Sequence, residues 1–180
     1  AWRMMIRIIN LFFIIFFLLS PKAYSLIEID ITRGNLDPLP IAVSPLFQDD
    51  NSKRNSINEL KIENVGSEIS LVVENNLKIS GLFNPLSKEA FLQKPDIAHL
   101  KPRFEDWALI KAQALITGKV TIEDKKLKVE FRLWDILAGR EMMALAFTTV
   151  PSNWRRVGHI ISDKVYELSL IHISEPTRPI

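Results

Sequence analysis

Three side chains near the carboxyl end of the chain are of the types that nucleophilic chemistry uses. His159, Ser162 and Asp163 are spaced three and four positions apart, so a helix would place them on one face. A nucleophile triad needs the base to hydrogen-bond both partners beside an oxyanion hole, and its members normally come from separate elements. The spacing therefore favours a polar helix face, and a small hydrolase using His159 and Ser162 is the alternative function.

Other patterns that could support chemistry are weak. Asp49 and Asp50 are adjacent in a hydrophilic stretch, residues 49–58, which we predict to be a loop with both carboxylates facing water. His, Asp and Glu do not occur at metal-ligand spacing, and Gly118 stands alone without a phosphate-binding glycine motif. The absence of cysteine excludes disulfides and thiolate sites. The sequence predicts no catalytic residue, no metal site and no cofactor.

The charge of the chain argues against a nucleic-acid partner. From Leu26 to Glu167 there are 19 Lys and Arg against 20 Asp and Glu, a net charge of −1. The remaining cations lie at the two ends of the chain: Arg3, Arg7, Lys22 and Arg178. Phe131, Arg132 and Trp134 place aromatic rings near a cation, which is the reason to consider nucleic acid, but the near-neutral body lacks the required basic field.

The first 25 residues have the pattern of an export signal. Arg7 precedes an apolar run, Leu11–Leu19, and small residues at Ala23 and Ser25 predict cleavage between Ser25 and Leu26. The other interpretation is a membrane anchor, but nine apolar residues fall well short of the roughly 20 that a spanning helix needs. We therefore expect export to the periplasm and no stable membrane insertion after cleavage. The alternative hydrolase would then be an exported one.

The last residues are also set apart from the fold. Residues 168–179 look like the in-frame translation of a sequencing adapter, so we assign residues 168–180 to a non-native tail and leave His172 out of any mechanism. The folded domain is predicted at residues 26–167, and the chain is predicted to be a fragment of a longer protein.

The elements that would position these residues centre on residues 104–150. A short helix at 104–110 precedes three strands, 114–122, 127–134 and 142–150, joined by connectors short enough for hairpins. In the middle strand one set of alternating side chains predicts a buried face: Leu127, Val129, Phe131 and Leu133. The other set predicts a solvent face: Lys128, Glu130, Arg132 and Trp134.

The remaining elements supply cover for this meander. Residues 40–47 predict a short buried strand, and Val65 to Leu77 predict a helix with Asn64 as its N-cap and Gly81 beyond its end. Residues 94–102 are predicted to be a loop, and a last helix follows with a stripe of Trp154, Val157, Ile161 and Val165. The fold class is α/β: a mixed β-sheet with an antiparallel three-stranded meander covered by helices.

Five segments in order resemble the N-terminal domain of the TolB family, the periplasmic component of the Tol–Pal system. They are IEIDITRG, PIAVSPLF, GLFNPLSKEAF, DWALIKAQALITGKV and WRRVGHIISDKVYE. The resemblance implies an α/β domain over residues 26–167 and a β-propeller that is missing from this chain. Two features depart from the family: Lys111, where a glycine-like helix stop is expected, and a longer charged stretch at 49–63.

The resemblance also implies a non-catalytic function in cell envelope integrity and in outer-membrane constriction during division. In the family the first dozen mature residues bind TolA, and the lipoprotein Pal docks on the propeller. The matching TolA-binding positions here are Leu26, Ile27, Glu28, Ile29, Asp30, Ile31, Thr32, Arg33, Gly34, Asn35, Leu36 and Asp37. Alternating isoleucines at a free end could add as a strand to the edge of a partner's sheet. Alternatively, the strip pairs with its own sheet.

Overall fold

The computed structural model describes Trp2 and residues 37–173, and for residues 170–173 it describes the backbone alone. The described strands are β1 (Leu39–Val43), β2 (Phe47–Gln48), β3 (Phe83–Pro85), β4 (Ala114–Glu123), β5 (Lys126–Asp135) and β6 (Arg140–Thr149). The described helices from residue 37 onward are α1 (Asp50–Leu60), α2 (Val65–Ile79), α3 (Pro95–Ala98), α4 (Phe104–Leu109) and α5 (Trp154–Ile173). The strands form one mixed sheet, which confirms the predicted α/β class.

The sheet order is β3-β1-β4-β5-β6, and β2 pairs with β4 beyond the end of β1. β1 runs parallel to β3 and β4, whereas β4, β5 and β6 form the predicted antiparallel meander. Asp124 and Lys125, which connect β4 to β5, both have positive φ, at 49° and 58°. Two successive residues with positive φ match the backbone twist of a tight hairpin, and this turn fixes the register of β4 against β5.

The larger of the two cores lies between one face of the sheet and helices α2 and α5. The predicted buried face of β5 is confirmed, since Leu127, Val129, Phe131 and Leu133 all lie in this core. Helix α2 contributes Val65, Ile69, Val73 and Leu77 from one stripe, with Asn64 accepting a hydrogen bond from the Ser67 backbone N–H at 3.0 Å. Each fully buried aliphatic side chain contributes about 1.5–3 kcal/mol to folding.

A smaller core on the opposite face corrects one prediction. Trp134 was expected on the solvent face, but it is only 8% exposed because α3, α4 and the adjoining loops cover that end of the sheet. Its ring meets Phe104 edge-on, with centroids 5.9 Å apart. The indole N–H, which would otherwise lack a partner, donates to Thr117 Oγ1 at 2.9 Å. Two-residue periodicity assigns a side chain to a face but does not show whether that face is covered.

Residues 49–58 also differ from the prediction, because they are not a loop. Asp49 caps helix α1 by accepting a hydrogen bond from the Ser52 backbone N–H at 2.8 Å. The buried side of α1 carries serines, Ser52 and Ser56, where an amphipathic helix normally carries aliphatic residues. A search for apolar periodicity therefore misses this helix.

Two further segments differ in secondary structure from the prediction. The strand expected over residues 40–47 is interrupted at 44–46 and becomes β1 and β2. Ser70 Oγ of α2 accepts a hydrogen bond from the Leu46 N–H at 2.9 Å, so this irregular backbone stays satisfied inside the protein. The loop predicted at 94–102 contains the short helix α3.

Candidate functional site

The His159, Ser162 and Asp163 group lies on α5 where that helix packs against α2. Asn76 of α2 contacts two of these residues, His159 and Ser162. Its Nδ2 lies 2.9 Å from His159 Nδ1 and donates a hydrogen bond to Ser162 Oγ at 3.1 Å. Ser162 is buried and donates its own proton to the Gly158 carbonyl at 3.0 Å. Asp163 is exposed. The structure therefore brings His159 and Ser162 to a shared amide without placing one against the other.

This arrangement joins two helices and does not activate a nucleophile. An activated serine needs its proton directed at a general base, whereas the Ser162 proton is directed at a main-chain carbonyl of its own helix. Tyr166, one turn further along α5, donates to the Asn76 carbonyl and extends the same contact. The polar group is a hydrogen-bonded clamp between α2 and α5.

The adjacent carboxylates at the start of α1 have separate roles. The hydrogen bond from the Ser52 backbone N–H lowers the pKa of the Asp49 carboxyl below its ordinary value, and Lys119 and Arg54 add a smaller electrostatic effect in the same direction. Asp50 is 89% exposed and lies 3.5 Å from Lys53 Nζ. Asp49 therefore stays ionised as a helix cap, and the two residues do not form an acid–base pair.

The aromatic and cationic residues on β5 do not form a stacking platform for bases. Phe131 is 1% exposed and points into the larger core, whereas Arg132 and Trp134 lie on the other face. The Arg132 guanidinium carbon sits 6.0 Å from the Trp134 ring centroid, and Nε lies 3.6 Å from Glu141. Single-strand binding sites stack bases on exposed rings, and this cluster offers none.

An open groove of about 250 Å³ crosses the uncovered part of this second face. Its lining consists of His99, Leu100, Gly118, Lys119, Glu130 and Arg132. The His99 ring stacks on Phe47 with centroids 4.5 Å apart, and its Nδ1 lies 3.0 Å from the Pro95 carbonyl. Glu130 is bound by Lys128 at 3.0 Å. The lining contains no hydroxyl or thiol side chain.

Neither a metal-binding cluster nor a membrane span occurs in the part of the chain that the structure describes. No group of three or more His, Asp or Glu side chains there could hold a metal ion. Among the same residues, no helix combines the length and the apolar character needed to cross a bilayer.

The predicted TolA-binding residues, Leu26 to Asp37, lie outside the described residues except for the last one. Asp37 is exposed, and two positions later the Leu39 N–H donates to the Leu82 carbonyl at 2.9 Å, where the sheet begins. The predicted cleavage site at Ser25 and Leu26 also lies outside the described residues. At the other end, α5 continues to Ile173, past the predicted start of the non-native tail, and residues 174–180 are not described.

Sequence reasoning missed two polar residues that complete the sheet. The Ile122 N–H donates to Ser52 Oγ at 3.1 Å, and Asn55 Nδ2 donates to the Ile122 carbonyl at 2.7 Å. Side chains of α1 thus replace a neighbouring strand at the end of β4. The available signal was Asp49, a preferred N-cap residue, followed by the acidic Asp50 in the first turn, which together favour a helix start despite the hydrophilic composition.

Comparison with known proteins gives three consistent results. The family model described as the TolB amino-terminal domain matches residues 27–142. The Tol-Pal system protein TolB of Pelagibacter ubique (strain HTCC1062) is 74% identical over 155 residues, which cover 86% of this chain and 35% of that protein. The crystal structure of TolB from Acinetobacter baumannii superposes with a TM-score of 0.56 at 20% identity, covering 73% of this chain and 28% of that one.

The chain spans about a third of the length of the curated relative it matches. The similarity to the solved structure concerns the fold alone, since the sequence identity there is low. The family model and the relative at 74% identity agree on the same assignment.

Proposed function

Because the chain belongs to the family of TolB amino-terminal domains, we propose that it is the amino-terminal part of a periplasmic protein of the Tol–Pal system. The observation that carries this proposal is the family match over residues 27–142, together with 74% identity to a Tol-Pal system protein. The family is non-catalytic, so the chain is not an enzyme, in agreement with the sequence prediction. The role expected for the whole protein is in cell envelope integrity and in outer-membrane constriction during division.

The partner proposed for this part of the protein is TolA, bound by residues Leu26–Asp37. Ile27, Ile29 and Ile31 alternate with Glu28, Asp30 and Thr32, so an extended strip presents one apolar side and one polar side. Such a strip can add to a partner's sheet edge, where main-chain hydrogen bonds provide affinity and the isoleucines select the register. Ordering the strip on binding opposes association by a few kcal/mol, which keeps the complex reversible.

A pull-down with the carboxyl-terminal domain of TolA tests this assignment. We expect immobilised TolA domain to retain the chain that starts at Leu26. The chain that lacks Leu26–Asp37 should not be retained. The matched pair is a triple change of Ile27, Ile29 and Ile31 to serine against a triple change of Glu28, Asp30 and Thr32 to alanine. The first should abolish retention and the second should weaken it much less. Equal retention with and without the strip would refute the proposal.

The alternative function, an exported hydrolase, has a direct test in Ser162→Ala. Because the Ser162 proton is directed at the Gly158 carbonyl, we expect no turnover of broad ester or peptide substrates by either the parent chain or the variant. Turnover by the parent chain that disappears in Ser162→Ala would restore this alternative.

We also propose domain limits for the chain. Residues 1–25 are the export signal, of which residues 1–3 precede the first methionine and are assigned as upstream non-native residues; residues 26–167 are the TolB amino-terminal domain, and residues 168–180 are a non-native tail. In the family Pal docks on the propeller, so this chain is expected not to bind Pal. Binding of Pal at micromolar strength, measured by calorimetry, would contradict that placement.

A further inference from the structure

The two edges of the sheet differ in how well they are protected. β3 forms one edge, is three residues long and ends at Pro85, which cannot donate to another strand. β6 forms the other edge, is ten residues long and contains no proline. Within the described residues β6 pairs with β5 alone. No charged residue occurs between Glu141 and Arg155. The pairing of β5 and β6 shifts between Leu133 and Trp134, which leaves Met142 near the start of β6 as an extra residue, and from Met143 to Thr149 the pairing is regular. Natural proteins usually protect a long edge with charges, proline or a bulge that turns it away, and the regular part of β6 has none of these.

The side chains of β6 divide into one large set and one small set. Met143, Leu145 and Phe147 face the larger core, where Phe147 stacks on Phe131 with centroids 6.1 Å apart. Leu145 in the middle of this row is still 37% exposed. Ala144 and Ala146 point to the other face and are also exposed. The apolar core therefore extends to an edge where its last row is only half covered.

We propose that β6 pairs antiparallel with β6 of a second copy of this chain, centred on Leu145. In that register Leu145 lies opposite its own copy, Met143 lies opposite Phe147, and Ala144 lies opposite Ala146. Large apolar residues then meet on the core face and small residues meet on the other face, as favourable cross-strand pairs require.

The charges near the ends of β6 are compatible with this pairing. Arg140 and Glu141 are the charged residues of β6 and lie at its start, before the register shift at Met142. A two-fold axis at Leu145 brings that end against the uncharged end of the other copy, so no like charges meet. The occupant of the edge is a second copy because β6 is complementary to itself when its direction is reversed. A two-fold axis at Leu145 makes the two halves of the contact identical.

The dimer is weak because the contact is narrow. One pair of ten-residue strands buries less than the roughly 1,200 Å² typical of stable specific complexes. We therefore expect a dissociation constant between about 1 μM and 1 mM. Sedimentation velocity of the chain starting at Leu26 should show a monomer that converts to a dimer as the protein concentration rises toward the millimolar range.

Charge substitutions at Leu145, the centre of the proposed β6 pair, give the decisive test of the dimer. Leu145→Lys places two ammonium groups opposite each other and should weaken self-association at least about tenfold, and Leu145→Glu should do the same. An equimolar mixture of the two variants should recover the parent dimer, because Lys then faces Glu. Leu137→Lys is the matched control, since Leu137 is 75% exposed in the turn before β6 and should change nothing.

Three results would overturn the proposal. The first is a monomer at every concentration. The second is an equal loss in Leu137→Lys and Leu145→Lys. The third is a mixture of Leu145→Lys and Leu145→Glu that stays monomeric although both variants give the parent circular dichroism spectrum. Deleting Leu26–Asp37 should leave the dimer intact, and its loss in that deletion would assign self-association to the amino-terminal strip instead.

Discussion

At the scale of single residues, the start of helix α1 depends on the Asp49 carboxylate. Asp49→Ala removes the acceptor for the Ser52 N–H and should lower the free energy of unfolding by about 1 kcal/mol near neutral pH. Because the folded-state pKa of Asp49 is lowered, the part of this contribution that depends on the carboxylate charge is complete above the unfolded value of about 3.9 and is lost as the pH falls through the folded value. Urea denaturation at neutral pH and at acid pH measures both effects.

Two companion variants separate capping from charge. Asp49→Asn keeps a capping oxygen and should stay within about 0.5 kcal/mol of the parent at neutral pH, with no acid-dependent loss of its own. Asp50→Ala removes an exposed carboxylate and should lower stability by less than about 0.5 kcal/mol. If Asp50→Ala cost as much as Asp49→Ala, general helix electrostatics would explain the effect better than the cap.

Lys111 holds a backbone conformation that favours glycine. Its φ is +64°, and the turn after α4 closes through the Lys111 N–H to the Ala108 carbonyl at 2.9 Å. Lys111→Gly should raise the free energy of unfolding by about 0.5–1 kcal/mol, because a side chain in this region is strained. Thermal unfolding followed by circular dichroism measures the gain.

Gly81 provides the reverse experiment. Its φ is +72°, and beyond its chain neighbours no heavy atom lies within 4 Å of the position that an alanine β-carbon would occupy. Gly81→Ala therefore reports conformational strain without a steric clash, and we expect a loss of about 1 kcal/mol. A gain in Gly81→Ala, or no change in Lys111→Gly, would show that the left-handed conformation is not retained in solution.

At the scale of elements, α2 and α5 are in close contact at Gly158. A β-carbon there would lie 2.8 Å from Val72 Cγ1, so the helices must separate to accept one. Gly158→Ala should destabilise the fold by about 1–2 kcal/mol although alanine favours helix. Combining it with Val72→Ala should give a loss at least about 0.5 kcal/mol smaller than the sum of the single losses. Chemical denaturation of the four proteins measures this coupling, and strict additivity would contradict the contact.

The elements that were predicted correctly have strong local signals. The meander follows from alternation in β5, and α2 follows from an apolar stripe bounded by Asn64 and Gly81. The failures are long-range: α1 is stabilised through serines that bond the end of β4, and Trp134 is buried by helices that precede it in the chain. Neither contact leaves a periodic pattern within the segment itself.

The candidate site could be predicted from the sequence only in part. The clamp at Ser162 could be anticipated as a polar helix face, but its partner Asn76 lies 86 residues away and has no motif. The proposed TolA-binding residues, Leu26–Asp37, were assigned by resemblance and lie outside the described residues apart from Asp37. Their role therefore stays a proposal.

At the scale of the whole molecule, the balanced charge from Leu26 to Glu167 predicts the absence of nucleic-acid binding. With a net charge of −1 this part of the chain has no basic field to attract the phosphate backbone, so a gel shift at low salt should show free DNA. Arg132→Ala should give the same result as the parent chain. Retention of DNA that weakens steeply with added salt would show that a local cationic patch outweighs the neutral total.

The unequal edges of the sheet also set a limit on how far copies of this chain can assemble. A strand that can accept a neighbour lies on one side only, because the three-residue strand on the other side ends in proline. Two molecules joined through β6 consume both receptive edges and present only the blocked ones. Polymerisation into a fibril by this route therefore terminates at its first step.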